Sequence, residues 1–240
     1  MDDDNSILEQ IKKLLQESHQ RQLAAQYRDF RQMEALLSLH SAIDFRSVLP
    51  PTRVWSVSPD FAVILVEVIQ DHRPKTIVDL GGGFTAIVAG YCVEKFGDGT
   101  VIAVDHQREF ADATRRSINR HDLDSVVRIR HALLTPVTID HTNWDWYDLA
   151  TFNDVHDIDL LIVDGPAQHG SNREMVRFPA LPLLMSKLSP GAHILVDDAN
   201  RDHEQRIIDR WMKEFPIRLV NRFLTEKGMV VLQYDGQHAQ

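Results

Sequence analysis

This chain predicts an α/β fold organised around a mostly parallel sheet, on the strength of three features. A short apolar run, Thr76-Ile-Val-Asp-Leu80, leads into three consecutive glycines, Gly81 to Gly83, and then into an apolar stretch at helical spacing, Thr85 to Tyr91. Further along, apolar runs of strand length alternate with helical patterns, the signature of β-α-β units. Those runs also finish on acids: Asp79, Asp105, Asp164 and the pair Asp197-Asp198. In an open α/β sheet ligands sit beyond the carboxyl ends of the strands, so the acids should gather along one edge.

The elements follow in order. Residues 6–40 carry Ile7, Leu8, Ile11, Leu14, Leu15, Leu23, Tyr27, Phe30, Met33, Leu36 and Leu37 at helical spacing. Ser6 with Glu9 forms a capping box for its start. The apolar stripe thins from Ser18 to Arg21, which predicts two helices or one kinked helix. Residues 1–48 are therefore a helical extension, a lid or an oligomerisation element, and 49–240 the main domain. The heptad is not sustained, so docking on the core and pairing of two copies are both open. Pro50-Pro51 stops the helix, and an extended loop carries Arg53 and Trp55, an aromatic and a cation able to cover a ligand or simply to pack. A helix over Phe61–Gln70 precedes the first strand.

After the glycine turn come a strand Thr100–Asp105, a helix Arg108–Arg120 and a strand Val126–Arg130 followed by His131-Ala132. Asn143-Trp-Asp-Trp-Tyr-Asp148 is an aromatic and acidic cluster, with packing favoured for Trp144 and the roles of Trp146 and Tyr147 open. Strands Ile158–Asp164 and Gly191–Asp197, a helix Asp202–Phe215 and a hairpin of Ile217–Leu224 with Met229–Tyr234 complete the chain.

Composition excludes several classes. The formal charge of -9 argues against nucleic acid as a partner, and suits a small neutral or cationic ligand or a metal. Cys92 is the lone cysteine, so neither an intrachain disulfide nor a cysteine metal cluster forms. Neither a signal peptide nor a membrane span is evident, which predicts a cytoplasmic protein.

The glycine turn admits two ligands. Gly81-x-Gly83-x-x-Ala86 fits the dinucleotide fingerprint, whereas Asp79-x-Gly81-x-Gly83 resembles motif I of the class I S-adenosylmethionine (SAM) methyltransferases. Asp79 favours the second. A carboxylate repels a pyrophosphate but attracts the sulfonium and ammonium charges of SAM. An NAD-linked oxidoreductase and a non-catalytic SAM-binding module are the rival readings. The gathered acids call for a cation, and Asp164, Asp197 and Asp198, beyond the reach of SAM, suggest an oxygen-ligated ion such as Mg²⁺.

Taken together, Val104-Asp105, Val163-Asp164-Gly165 and Leu195-Val-Asp197-Asp198 resemble the small-molecule O-methyltransferases of the catechol O-methyltransferase type. Trp146-Tyr-Asp148, Arg177-Phe-Pro-Ala-Leu181 and Asp197–Glu204 are similar to the related methyltransferase family 24, over about residues 50–235. The resemblance implies a Rossmann-like sheet of seven strands, the last antiparallel, which the terminal hairpin suits. It implies SAM contacts from Asp79, Gly81, Gly82, Gly83, Thr85, Asp105, His106, Ala132 and Asp164, and a divalent ion on Asp164, Asp197 and Asp198. The ion would lower the pKa of a hydroxyl on a small acceptor, a sugar or secondary metabolite. Two departures stand out. Thr85 replaces the third glycine of the motif, and the catalytic lysine is missing after Asp164, leaving His169, or Asp164 itself, as candidate base. Arg173 and Arg177 could bind an anionic acceptor or pair with Glu174 and nearby acids.

Overall fold

The computed structural model describes residues 2–167 and 174–236, with the side chains of 2–8 left aside. Its centre is a seven-stranded sheet. In chain order the strands of the molecule are β1 (Thr76–Leu80), β2 (Thr100–Asp105), β3 (Val127–His131), β4 (Leu134–Ile139), β5 (Thr142–Tyr147), β6 (Ile158–Val163), β7 (Leu188–Asp197), β8 (Ile217–Phe223) and β9 (Met229–Tyr234). The large sheet runs β3-β2-β1-β6-β7-β9-β8, and β4 pairs with β5 as a separate antiparallel ribbon. Neighbours from β3 to β7 are parallel, while β9 inserts antiparallel between β7 and β8. Strand order reverses at β1, so the crevice opens between the ends of β1 and β6, where ligands of such sheets bind.

Alternation along the strands explains the two cores. Val78, Leu80, Ile102, Val104, Leu161, Val163, Ile194 and Val196 face one side; Ile77, Val101, Ala103, Leu160, Ile162 and Leu195 face the other. A strand sandwiched between two layers needs apolar residues on both faces, hence the continuous runs in the sequence. On the second face lie α2 (Pro59–His72), α3 (Phe84–Phe96), α4 (Arg108–Arg120) and the last turns of α1 (Asp2–Ala42). On the first lie the β4–β5 ribbon, α5 (Ala180–Leu184) and α6 (Asp202–Glu214). Trp146, Phe152, Phe178 and Trp211 are wholly buried there. Each such side chain contributes about 1.5–3 kcal/mol of burial energy.

The expected two or kinked N-terminal helices are one continuous 41-residue helix, α1. The polar stretch Ser18–Arg21 interrupts the apolar stripe, but the segment holds neither Gly nor Pro and Gln, Glu and Arg are good helix formers. The helix starts at Asp2, so Ser6 lies inside it rather than capping it. Among the described side chains of this region only Gln32, Ala35, Leu39 and Ile43 are buried, while Leu23, Tyr27, Phe30, Met33 and Leu37 face outward. The β4–β5 ribbon was not foreseen: the aromatic cluster forms strand β5, and Asp148 then caps a short 3-10 helix, Leu149–Phe152.

Candidate active site

The glycine turn sits at the reversal point. Gly81, Gly82 and Gly83 have φ of 128°, 57° and 73°, the left-handed region that a side chain resists. A Cβ on Gly81 would also stand 3.3 Å from the Cβ of Asp164. Gly81 N–H donates to Val104 O at 2.9 Å and Asp164 N–H to Leu80 O at 3.0 Å, stitching the ends of β2, β1 and β6 together. Helix α3 starts directly after Gly83 without a side-chain cap, which leaves its first N–H groups facing the crevice.

Below the turn Asp79 is fully buried. Its Oδ2 lies 2.6 Å from the Thr85 hydroxyl, which is also 2.8 Å from Gly82 O. Thr85, the departure from the glycine pattern, thus braces the acid. The other oxygen, Oδ1, has no hydrogen-bond partner among the described residues. Burial is the main cause that pushes this carboxyl up to about 6, against the Thr85 and Gly82 hydrogen bonds. A buried acceptor without a donor is costly, and a cationic or N–H-bearing ligand answers that need.

Asp105 ends β2, accepts the Gln107 N–H at 2.8 Å and is likewise shifted upward by burial. His106 Nδ1 lies 3.6 Å from its carboxylate. A cavity of about 610 Å³ opens over these groups. Its walls include Gly81, Gly82, Gly83, Asp105, His106 and Asp164, all foreseen as SAM contacts. Asp79, Thr85 and Ala132 are not among them: Asp79 and Thr85 are buried beneath the turn, and Ala132 is buried behind Asp105, whose carbonyl accepts its N–H at 2.9 Å. His131 faces His106, with Nε2 3.2 Å from the His106 carbonyl. His169 and Arg173 lie outside the described residues.

Several wall residues were missed. Phe110, Ala113, Thr114 and Ser117 come from α4 at i, i+3, i+4 and i+7, a helix-face spacing present in the sequence. Tyr147, left open, lines the cavity while wholly buried, and its hydroxyl has no hydrogen-bond partner among the described residues. Burial lifts its phenol well above the usual range. From the other side the loop 50–56 closes over the cavity. Its Trp55 is 81% exposed, and Arg53 ties the loop to Glu226 at 2.6 Å and to Asp29 of α1 at 2.8 Å.

The acids beyond the cavity converge as expected. Oxygens of Asp164, Asp197 and Asp198 lie within 4.8 Å of one another. Burial pushes Asp164 up to about 7 and Asp197 well above the carboxylate range, with Arg177 pulling both back. For a divalent ion the donors are of the right chemistry, and neither oxygen of Asp197 has a hydrogen-bond partner among the described residues. The space between them fits less well. Arg177, 5% exposed at its side chain, puts Nη2 2.8 Å from Asp198 and 3.2 Å from Asp164. Lys227, which the sequence did not single out, stands 3.9 Å from Asp197 and 4.0 Å from Asp198. The cluster therefore already holds cations, and the residues as arranged do not fit a further divalent one. Glu174 pairs with Arg206 at 3.0 Å rather than with Arg177.

A family model described as a methyltransferase domain, methyltransferase family 24, matches residues 78–199, and the chain belongs to that family. No curated protein matches the chain. Solved structures share its fold. An O-methyltransferase from Bacillus cereus in complex with S-adenosylhomocysteine (SAH) aligns at TM-score 0.58 and 18% identity, covering 85% of this chain and 90% of that one. An O-methyltransferase from Streptomyces achromogenes involved in tomaymycin synthesis, in complex with SAM, aligns at 0.57 and 15%, covering 83% and 90%. A SAH-bound methyltransferase from Podospora anserina aligns at 0.59 and 12%, covering 82% and 87%. The fold is the Rossmann-like methyltransferase sheet with an N-terminal helix added.

Proposed function

We propose that this methyltransferase is SAM-dependent and moves a methyl group to a hydroxyl of a small acceptor, a sugar or secondary metabolite. The observation that carries the reading is Asp79: a buried carboxylate with one oxygen unsatisfied among the described residues, directly beneath a glycine turn that lines a cavity large enough for a small ligand. A pyrophosphate there would meet that negative charge, which disfavours a dinucleotide. The SAM- and SAH-bound O-methyltransferases with the same fold are in keeping with it.

When bound, SAM supplies a methyl group activated on a sulfonium. The protein's share is to bind, orient and take a proton. Asp79 and the glycine turn would hold the amino-acid end, and Asp105 the ribose hydroxyls. Asp164, at the rim beside Gly81 and Gly165, is the proposed base for the acceptor hydroxyl, since burial raises its proton affinity toward neutrality. His169 is the alternative base. A divalent ion on Asp164, Asp197 and Asp198 would polarise that hydroxyl, but with Arg177 among these acids no step is routed through it. The proposal keeps the cytoplasm as the place of work and leaves α1 as lid or pairing element; no helix among the described residues is long and apolar enough to cross a membrane.

A thermal-shift titration tests the ligand. SAH at a hundred times its Kd stabilises by about 2.7 kcal/mol, a readily measured rise in Tm, whereas NADH should leave Tm unchanged. A rise with NADH alone overturns the reading.

A further inference from the structure

We infer that Arg177 takes the place of a divalent ion, so that the acid cluster beside the cavity is an internal ion network and not a metal site. Asp164 follows β6, Asp197 ends β7 with Asp198 just after it, and Glu204 lies in the first turn of α6; Asp197, Asp198 and Glu204 are 0%, 2% and 1% exposed. Four acids brought together out of water need positive charge close by. One guanidinium reaches the carboxylates of three of them and the main-chain carbonyl of Asp197. Arg177 Nη2 stands 2.8 Å from Asp198 Oδ2 and 3.2 Å from Asp164 Oδ1, while Nη1 donates to the Asp197 carbonyl at 3.1 Å and lies 3.8 Å from Glu204. A planar group with five donors suits this bridging, which a hard oxygen-seeking ion would otherwise perform.

Two further cations offset part of the remaining charge. Lys227 approaches Asp197 and Asp198 while its ammonium donates to the Ser56 carbonyl at 2.8 Å, and Arg201 lies 2.9 Å from Asp198. Three cations thus stand against four acids before any ion is added.

The position of Arg177 is also built in. Its neighbour Phe178 is wholly buried, packs on Trp144 with ring centroids 5.1 Å apart, and lies under the guanidinium of Arg210 at 3.8 Å. The carbonyl of Phe178 accepts the Trp211 indole N–H at 2.9 Å, and Ala180 N–H donates to Arg177 O at 3.1 Å. The backbone at Arg177 is therefore held on both sides, and its side chain is buried among the acids. Lys227 is delivered by a turn just as constrained. Gly228 has φ of 78°, and a Cβ there would meet Asn200 N at 2.7 Å, while Asn200 N–H donates to Lys227 O at 3.0 Å.

The test counts bound metal and does not need the acceptor. Mn²⁺ is titrated into the full chain and free ion is followed by electron paramagnetic resonance, with the SAH thermal shift recorded in parallel. Wild type should bind no Mn²⁺ at the cluster, and EDTA should leave the SAH shift unchanged. Arg177→Gln, which puts a neutral polar side chain in place of the cation, should bind one Mn²⁺ per chain at concentrations where wild type binds none. One Mn²⁺ per wild-type chain, lost in Asp197→Asn, overturns the inference, as does a folded Arg177→Gln protein that binds none. If Arg177→Gln does not fold, the wild-type titration decides alone. The inference stands apart from the SAM reading: no SAH shift would sink that reading and leave the metal count intact.

Discussion

Asp79 concentrates the chemistry of the site in one residue. Its carboxyl titrates near 6 rather than near 3.8, chiefly because it is buried. A cationic ligand favours the ionised form, so binding should be tightest above pH 6 and weaken below it, up to tenfold per pH unit while the free protein is protonated there. SAM affinity measured calorimetrically from pH 5 to 8 checks this, and proton release should accompany binding near pH 6. Asp79→Asn removes the charge, weakens binding by at least about tenfold (~1.4 kcal/mol) and flattens the profile. An unchanged profile would show that Asp79 does not face the ligand's charge. Thr85 illustrates what a motif hides: as the odd member of the glycine pattern it looked like a tolerated change, yet its hydroxyl is the brace of Asp79. Arg177 shows the opposite limit. Its type and position were plain in the sequence, but its meeting with Asp164, Asp198 and Glu204 depends on three elements folding together.

At the scale of elements, those with a dense local signal were legible. Strands β1, β2, β6 and β7 are apolar runs that a buried parallel sheet requires, and α2, α4 and α6 begin and end within a few residues of the positions their periodicity marks. The β4–β5 ribbon was not, for physical reasons. Pro136 sits within β4, both strands alternate polar residues, and the turn Asp140-His141 has φ of 48° and 63° without the Asn-Gly or Asp-Gly that usually announces such a hairpin. The loop over the cavity has its own test. Arg53 holds it through Glu226 and Asp29, and Trp55 is its exposed aromatic, whereas Trp146 and Trp211 are wholly buried. Partly exposed ion pairs of this kind are worth about 0–1 kcal/mol, so Glu226→Ala should loosen the loop without unfolding the domain. SAH should shield Trp55 from acrylamide quenching in wild type and less so in Glu226→Ala, with affinity reduced by no more than about fivefold. Equal shielding in both proteins would show that the ion pair does not hold the loop.

Over the whole molecule the pH dependence of stability is a contest between groups buried on opposite terms. His193 of β7, 8% exposed, stacks on His72 of α2 with ring centroids 4.0 Å apart. Burial, then the charges of His72 and Arg218, lower it from 6.5 to about 4. Its folded value lies below its unfolded one, so its contribution is present above pH 6.5 and is lost as pH falls toward 4. Asp79 and Asp164 act the other way. Their folded values, about 6 and about 7, lie above 3.8, so they favour the folded state at low pH and lose that contribution as pH rises through those values. Between pH 7.5 and 5 the two effects oppose each other in the wild-type protein. His193→Asn removes the acid-sensitive side, so Tm should rise relative to wild type as pH falls over this range. Asp79→Asn removes one of the acid-favoured groups, so its Tm should fall relative to wild type over the same range. Melting curves of the three proteins at both pH values measure the contest directly. Parallel shifts in all three would mean that neither His193 nor Asp79 titrates where its surroundings place it.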